Sequence, residues 1–294
     1  MTLLSVRHVT TYRYSAPVAF GEHRIMFRPR ESFDQRLLDL NLKIEPSPSD
    51  FYWSHDAFSN CVAIAHFDRR SRELRFESTM TLEHTPSNAP DFRIRDDAKC
   101  YPFSYDAEEL RDLSSCIEPR YGDRGGAVER WARNFLRHGA PTPTGELLKT
   151  MTYAIKDGFA YLRRAEPGAW APSETLEHGR GSCRDFALLM IEAVRRLGLA
   201  ARFVSGYIYV PDRDAATRLG GGSTHAWCQV YVPGAGWIDF DPTNGIVGNC
   251  DLIRVAVARD PSQATPLSGV WYGDPQAAIG MEVEVQVTTS ASSA

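Results

Sequence analysis

The residues that could do chemistry begin with Cys183, in the stretch "HGRGSCRDFALLMIEAVRRLGLAARFVSGY" from His178 to Tyr207. It stands at the start of an apolar-periodic segment, directly after Gly179-Arg180-Gly181-Ser182, which reads as too flexible to be a packing element. The first turn of a helix exposes unsatisfied N–H groups and the positive end of the helix dipole, and both favour an anion. A thiolate is such an anion, and Arg184 adds a positive charge beside it. Those neighbours set Cys183 apart from a cysteine that is only a buried small hydrophobe, and make it the candidate nucleophile.

A nucleophilic thiol needs a base within reach, and the base needs a third group to fix its tautomer. "GGGSTHAWCQVYV" offers His225 at the start of a strand, just after three glycines. "GWIDFDPTNG" offers Asp241 at the end of the next strand, across a turn at Pro233-Gly234-Ala235-Gly236. In an antiparallel pair joined by that turn, His225 and Asp241 lie at the same far end. Asp239 is the rival, since strand residues two apart share a face; Asp241 is preferred because it lies nearer His225.

Other chemistries fit less well. A Cys3His zinc set from Cys183, His225, Cys228 and Cys250 would need residues 225 and 228 to point the same way, yet an odd offset on a strand sends them to opposite faces. Neither Ser182 nor Ser205 sits in the G-x-S-x-G elbow of a serine hydrolase. Trp170, ahead of the nucleophile, reads as core packing before it reads as an aromatic wall or a second oxyanion donor.

The elements that must position these residues change character along the chain. From Leu3 to about His84, period-two segments such as "LSVRHVTTYRYS", "HRIMFRPR" and "ELRFESTMTLEH" predict an antiparallel β-sandwich. From about Pro86 to Gly126 the many Pro, Asp, Ser and Gly residues predict a linker. Helical periodicity then runs through "AVERWARNFLRHG", "GELLKTMTYAIKDG", "APSETLEHGRG" and Asp185–Leu197, the last with Phe186, Leu189, Met190, Ala193, Val194 and Leu197 facing inward. Strands return in "AARFVSGYIYV", "HAWCQVYV", "GWIDFDP", "LIRVAVA" and "MEVEVQV", and the last residues, "TTSASSA", read as a frayed tail. The expected class is α+β: a β-sandwich over residues 1–95, a linker over 96–125 and a core of helices on an antiparallel sheet over 126–290.

Bulk properties bound the partners. The chain has 294 residues, of which 43% are hydrophobic and 11% aromatic, enough for a substantial core. A net charge of −4 with scattered arginines argues against nucleic acid. The apolar runs are too short to cross a bilayer, and Arg7, His8 and Arg13 interrupt any signal-peptide core, so the expectation is a cytoplasmic protein without membrane contact. Six cysteines without a C-x-x-C pair suit reduced thiols, and nothing in the sequence calls for a cofactor or a metal.

"GSCRDFALLMIEAVRRLGLAARFVSGY" followed by "HAWCQVYVPGAGWIDFDPTNG" resembles the core of the transglutaminase-like superfamily, and "VRHVTTYRYSAPV" with "FRPRE" resembles the β-rich domain that precedes it in bacterial members. The resemblance implies a papain-like triad in the order Cys183, His225, Asp241. It points to a thiol enzyme acting on a protein or peptide amide through an acyl-thioester on Cys183, with water as the default acceptor: a cysteine peptidase or amidase. A protein-glutamine transamidase, or a non-catalytic peptide-binding module of the same fold, is the alternative. Pro211–Thr224, with Gly220, Gly221 and Gly222, is expected to be a loop bordering the site and gating substrate access.

Overall fold

The computed structural model describes residues 2–85, 93–164, 166–211 and 218–289. The first unit is organised by one strand, β1 (Thr2–Ile25). It is followed by β2 (Gln35–Glu45), β3 (Asp50–His55), β4 (Cys61–His66) and β5 (Ser71–His84). The segments "LSVRHVTTYRYS" and "HRI", expected as separate strands, are the two halves of β1. Its first half pairs with β5 from Thr2↔His84 to Arg13↔Glu73, and its second half pairs with β4 from His23↔Ala65 to Ile25↔Ala63. The register breaks between Arg13 and Val18, around Pro17, which has no N–H to give to a ladder. The two halves of β1 thus pair with different strands, and Tyr14, Phe20, Ile25, Phe27, Leu74 and Phe76 pack as one core cluster.

The second unit begins with β6 (Cys100–Tyr101), α1 (Ala107–Ile117), α2 (Ala127–Arg133), β7 (Thr142–Pro143) and α3 (Thr144–Gly158). Then come β8 (Ala160–Tyr161), α4 (Pro172–His178), β9 (Arg180–Gly181) and α5 (Cys183–Arg196). Four strands complete the five-stranded antiparallel sheet with β10 (Ala201–Ile208): β11 (His225–Val232), β12 (Gly236–Asp241), β13 (Ile246–Val247) and β14 (Leu252–Ala258), in the order β13-β12-β11-β10-β14. The helices lie on this sheet, and α5 is enclosed by it and by its helical neighbours. Its residues from Asp185 to Arg195 are therefore buried all round, not along the single stripe that periodicity suggests.

Two features depart from the sequence reading. The stretch read as a linker holds α1, capped by Asp106 with Glu109 reaching back, and Leu113 and Cys116 on it are buried. The segment after α1 is tied to α5 as well: Glu192 accepts from the backbone N–H groups of Arg120 and Tyr121, and Arg195 donates to Cys116 O. The last strands, β15 (Leu267–Tyr272) and β16 (Ala278–Thr289), do not join the five-stranded sheet. They return to β1, with Ile25↔Leu267 and Leu4↔Thr289 among the paired positions. Residues 290–294, and with them most of the predicted tail, lie outside the described residues.

The two units meet along β14, whose outer edge would otherwise expose a row of unpaired peptide groups. Gln35 and Asn60 cover it with their side-chain amides. Gln35 donates to Arg254 O at 2.8 Å and accepts from Arg254 N at 3.0 Å; Asn60 makes the same reciprocal pair with Val257 at 2.7 and 2.9 Å. Nearby, His8 of β1 bonds the Tyr207 hydroxyl of β10 at 2.9 Å, both groups being buried.

Candidate active site

The approach to Cys183 is tightly built rather than loose. Gly179 ends α4 in the left-handed region, at φ +59°, where a side chain would be strained. Gly181 is held by close packing: a Cβ there would come within 2.8 Å of the Asp185 Cβ. Between them β9 pairs in parallel with β8, setting Tyr161 beside Gly181. Ser182 then caps α5 and Cys183 is its first residue, buried at 7% exposure.

The first turn of α5 is fixed by Asp185, which is fully buried. Its carboxylate accepts from Ser182 N (2.7 Å), Ser182 Oγ (2.8 Å), Trp170 N (2.7 Å) and, in a two-pronged pair, Arg164 Nε and Nη2 (3.0 and 2.9 Å). Burial alone would raise the Asp185 carboxyl, but these donors, Arg164 foremost, hold it below the ordinary range. Trp170 lies over the Arg164 guanidinium at 4.4 Å, so its ring belongs to this support. Ser182-x-x-Asp185 was open to reading as a capping box; the partnership of Asp185 with Arg164, 21 residues upstream, left no local signal.

His225 opens β11 and Asp241 closes β12; the hairpin between them turns at Pro233–Ala235, with Gly234 at φ +85°. The structure brings these two together: His225 Nε2 lies 2.8 Å from Asp241 Oδ2, and both side chains are fully buried. The other carboxylate oxygen accepts from Thr243 N (2.9 Å) and Asn244 N (3.3 Å), and Asn244 Nδ2 donates to Oδ2 at 2.8 Å. Burial works to lower the His225 pKa, yet the Asp241 carboxylate and the Cys183 side chain carry it up to about 10. For Asp241, burial works upward, and the imidazole with Asn244 and Thr243 brings it below its usual value.

Cys183 reaches the same imidazole from the start of α5. Because Nε2 is occupied by Asp241, Nδ1 is the nitrogen left for the thiol; it is buried and makes no hydrogen bond of normal geometry in this resting arrangement. Cys183, His225 and Asp241 thus meet at one place, supplied by a helix start and the two strand ends of a hairpin.

Asp239 does something else. It accepts from Trp227 Nε1 (2.7 Å), Gln229 Nε2 (2.9 Å) and Arg254 Nη1 (2.9 Å). The Trp227 ring stacks on His225 at 5.9 Å between centroids, so Asp239 supports the wall behind the imidazole. Cys228 points elsewhere, its Sγ donating to Phe240 O at 3.4 Å. Three contributors were not singled out from the sequence: Tyr161, whose phenol is driven upward by burial and by the charges of Cys183 and Asp241; Asn244; and Asp185. Of the loop expected to gate the site, residues 212–217 lie outside the described residues, whereas 218–224 run directly up to His225.

Comparison with known proteins bears on the fold and the family. Residues 4–83 match the bacterial transglutaminase-like N-terminal region, and residues 130–242 match the transglutaminase-like superfamily. Uncharacterized proteins of Mycobacterium tuberculosis and Mycobacterium bovis are 30% identical over 96% of this chain and 91% of their own length. One from Mycobacterium leprae is 28% identical over 98% of this chain and 99% of its own. A Cytophaga hutchinsonii crystal structure, described as that of a candidate cysteine protease, superposes with a TM-score of 0.72 at 18% identity, over 99% of this chain and 91% of that one. With both halves matched in order and the fold shared throughout, this chain belongs to the transglutaminase-like superfamily, as a member in which the bacterial N-terminal region precedes the core.

Proposed function

We propose that the protein is a thiol-dependent amide-bond enzyme, a cysteine peptidase or amidase. The observation that carries this reading is the placement of His225: Nε2 is anchored on a buried carboxylate, and Nδ1 is left for a cysteine at a helix N-terminus. The elevated pKa of His225 favours an imidazolium beside Cys183 in the resting site.

In the first half-reaction the Cys183 thiolate adds to the amide carbonyl carbon, and the carbonyl oxygen takes the negative charge. The Cys183 backbone N–H, first in α5 and without an intrahelical acceptor, is one donor to that oxyanion; the Tyr161 phenol is the candidate second. Collapse breaks the C–N bond, and the Nδ1 proton of His225 goes to the departing amine, leaving an acyl-thioester on Cys183. In the second half His225 takes a proton from water, the hydroxide adds to the thioester, and the acid leaves as the thiolate returns. A primary amine in place of water would give transamidation by the same steps.

The test is a peptide-library screen with Cys183→Ala as control, run with and without hydroxylamine. Expected are turnover that the alanine variant loses at unchanged thermal stability, hydrolytic product in buffer, and hydroxamate when the competing amine is present. Equal turnover by the alanine variant would refute the reading. Selective labelling of Cys183 with no turnover of any library member would favour the non-catalytic peptide-binding alternative.

A further inference from the structure

The nitrogen that the thiol requires is covered. Gly220 passes over it at φ +91°, so close that a Cβ on this residue would stand 2.5 Å from His225 Nδ1 and 3.1 Å from Cε1. The backbone is held there from both sides. Leu219 N–H donates to Asn244 Oδ1 at 2.7 Å, and Asn244 Nδ2 donates back to Leu219 O at 3.0 Å. Two residues beyond Gly220, Gly222 O accepts from Val285 N of β16 at 3.1 Å.

Asn244 therefore faces two ways. The amide nitrogen that binds Leu219 O also binds Asp241 Oδ2, the same oxygen that lies against His225 Nε2. Capping the turn after Asp241 uses one N–H of the amide and leaves its oxygen and second N–H to other partners. Asn244 makes a reciprocal pair with a peptide 25 residues earlier in the chain, and that pair holds the peptide beside Asp241.

We propose that Asn244 is a positioning residue: it aligns Asp241 and latches the strap Leu219–Gly222 across the His225 imidazole, so that access to Cys183 requires the strap to part from Asn244. The proposal rests on the thiol-enzyme reading. It also gives Gly220 a definite role, because any side chain at that position meets the imidazole. Asn244 contributes a side chain that reports strap position directly to the carboxylate beneath the base, and β16 ties the far end of the strap to the N-terminal unit.

The test compares two electrophiles of one warhead, iodoacetamide and a biotin-linked iodoacetamide, by the rate at which each modifies Cys183 in the whole protein, read per cysteine by mass spectrometry. In the wild type the bulky reagent is expected to lag the small one by tenfold or more. Asn244→Ala should narrow that ratio at least fivefold while the buried Cys228 stays unmodified, which separates strap release from general loosening. Gly220→Ala, which leaves Asn244 in place and wedges a methyl under the strap, should narrow it too, so that the proposal stands or falls even if one variant folds poorly. An unchanged ratio in both variants overturns the latch. The thiol reading fails separately: wild-type Cys183 that reacts with iodoacetamide no faster than Cys183 of the His225→Ala variant would refute it whatever the ratio.

Discussion

Replacing Asp241 by asparagine removes a charge and keeps the shape, which makes it the sharpest probe of how the site works. The carboxylate lies 2.8 Å from His225 Nε2 in a fully buried pair, and with Cys183 it carries the imidazole from 6.5 to about 10 against the opposing pull of burial. A displacement of ~3.5 pKa units corresponds to at most about 5 kcal/mol of preference for the imidazolium. If Asp241 supplies more than half of it, its loss withdraws roughly 3 kcal/mol from every step in which His225 bears a proton, or about 10²-fold in rate. An asparagine that turns its NH2 toward Nε2 also reverses the tautomer and leaves Nδ1 protonated when it should accept, an effect of about 10⁴-fold for the same change in a serine-protease triad. The expected loss of kcat therefore lies between roughly 10²- and 10⁴-fold. The assay is steady-state turnover of the best library peptide across pH. In the wild type the imidazolium persists to about pH 10; in the variant it should be lost near the ordinary histidine range. Asp239→Asn is the paired control. Asp239 holds Trp227, Gln229 and Arg254, so its loss should lower stability more than turnover per folded molecule. An Asp241→Asn enzyme within fivefold of wild type, or an Asp239→Asn enzyme that turns over more slowly than Asp241→Asn, would refute the reasoning.

Two further outcomes can be measured independently. Tyr161→Phe deletes only the hydroxyl proposed as second oxyanion donor and should lower kcat roughly 10²- to 10³-fold with KM little changed; a variant that loses KM instead would place Tyr161 in substrate binding. His8 is buried between β1 and β10, and burial lowers its pKa to about 3. Since the fold accepts only the neutral ring, the contribution is fully present above about pH 6.5 and is lost as pH falls from there toward 3, by at most about 5 kcal/mol. Urea unfolding of His8→Gln should show a flatter acid limb than the wild type over that window; an identical slope would exclude His8 as its source.

What the sequence determined by itself is what short-range physics encodes. Cys183 at a helix start follows from the glycines before it and the apolar period after it, and the nearness of His225 to Asp241 follows from a hairpin whose turn is spelled Pro233-Gly234-Ala235-Gly236. Period-two alternation marked β5 for the same reason: one of its faces lies against a core and the other does not. Tertiary structure decided the rest, because the deciding contacts join residues far apart in the chain. Nothing local distinguishes β16, which pairs with β1, from a strand of the five-stranded sheet; only the pairing across the whole chain does. Residues 96–125 looked like a linker because α1 offers the core only a narrow apolar stripe, Leu113 and Cys116, and its place is secured by peptide groups bonded to Glu192 and Arg195 of α5. Gly220 and Asn244 appeared as a flexible glycine and a turn residue, which is what their neighbours in sequence imply. Their meeting over His225 arises only when β10, β11 and β12 pair side by side, since that pairing alone brings the peptide of Leu219 within hydrogen-bond reach of a residue beyond Asp241.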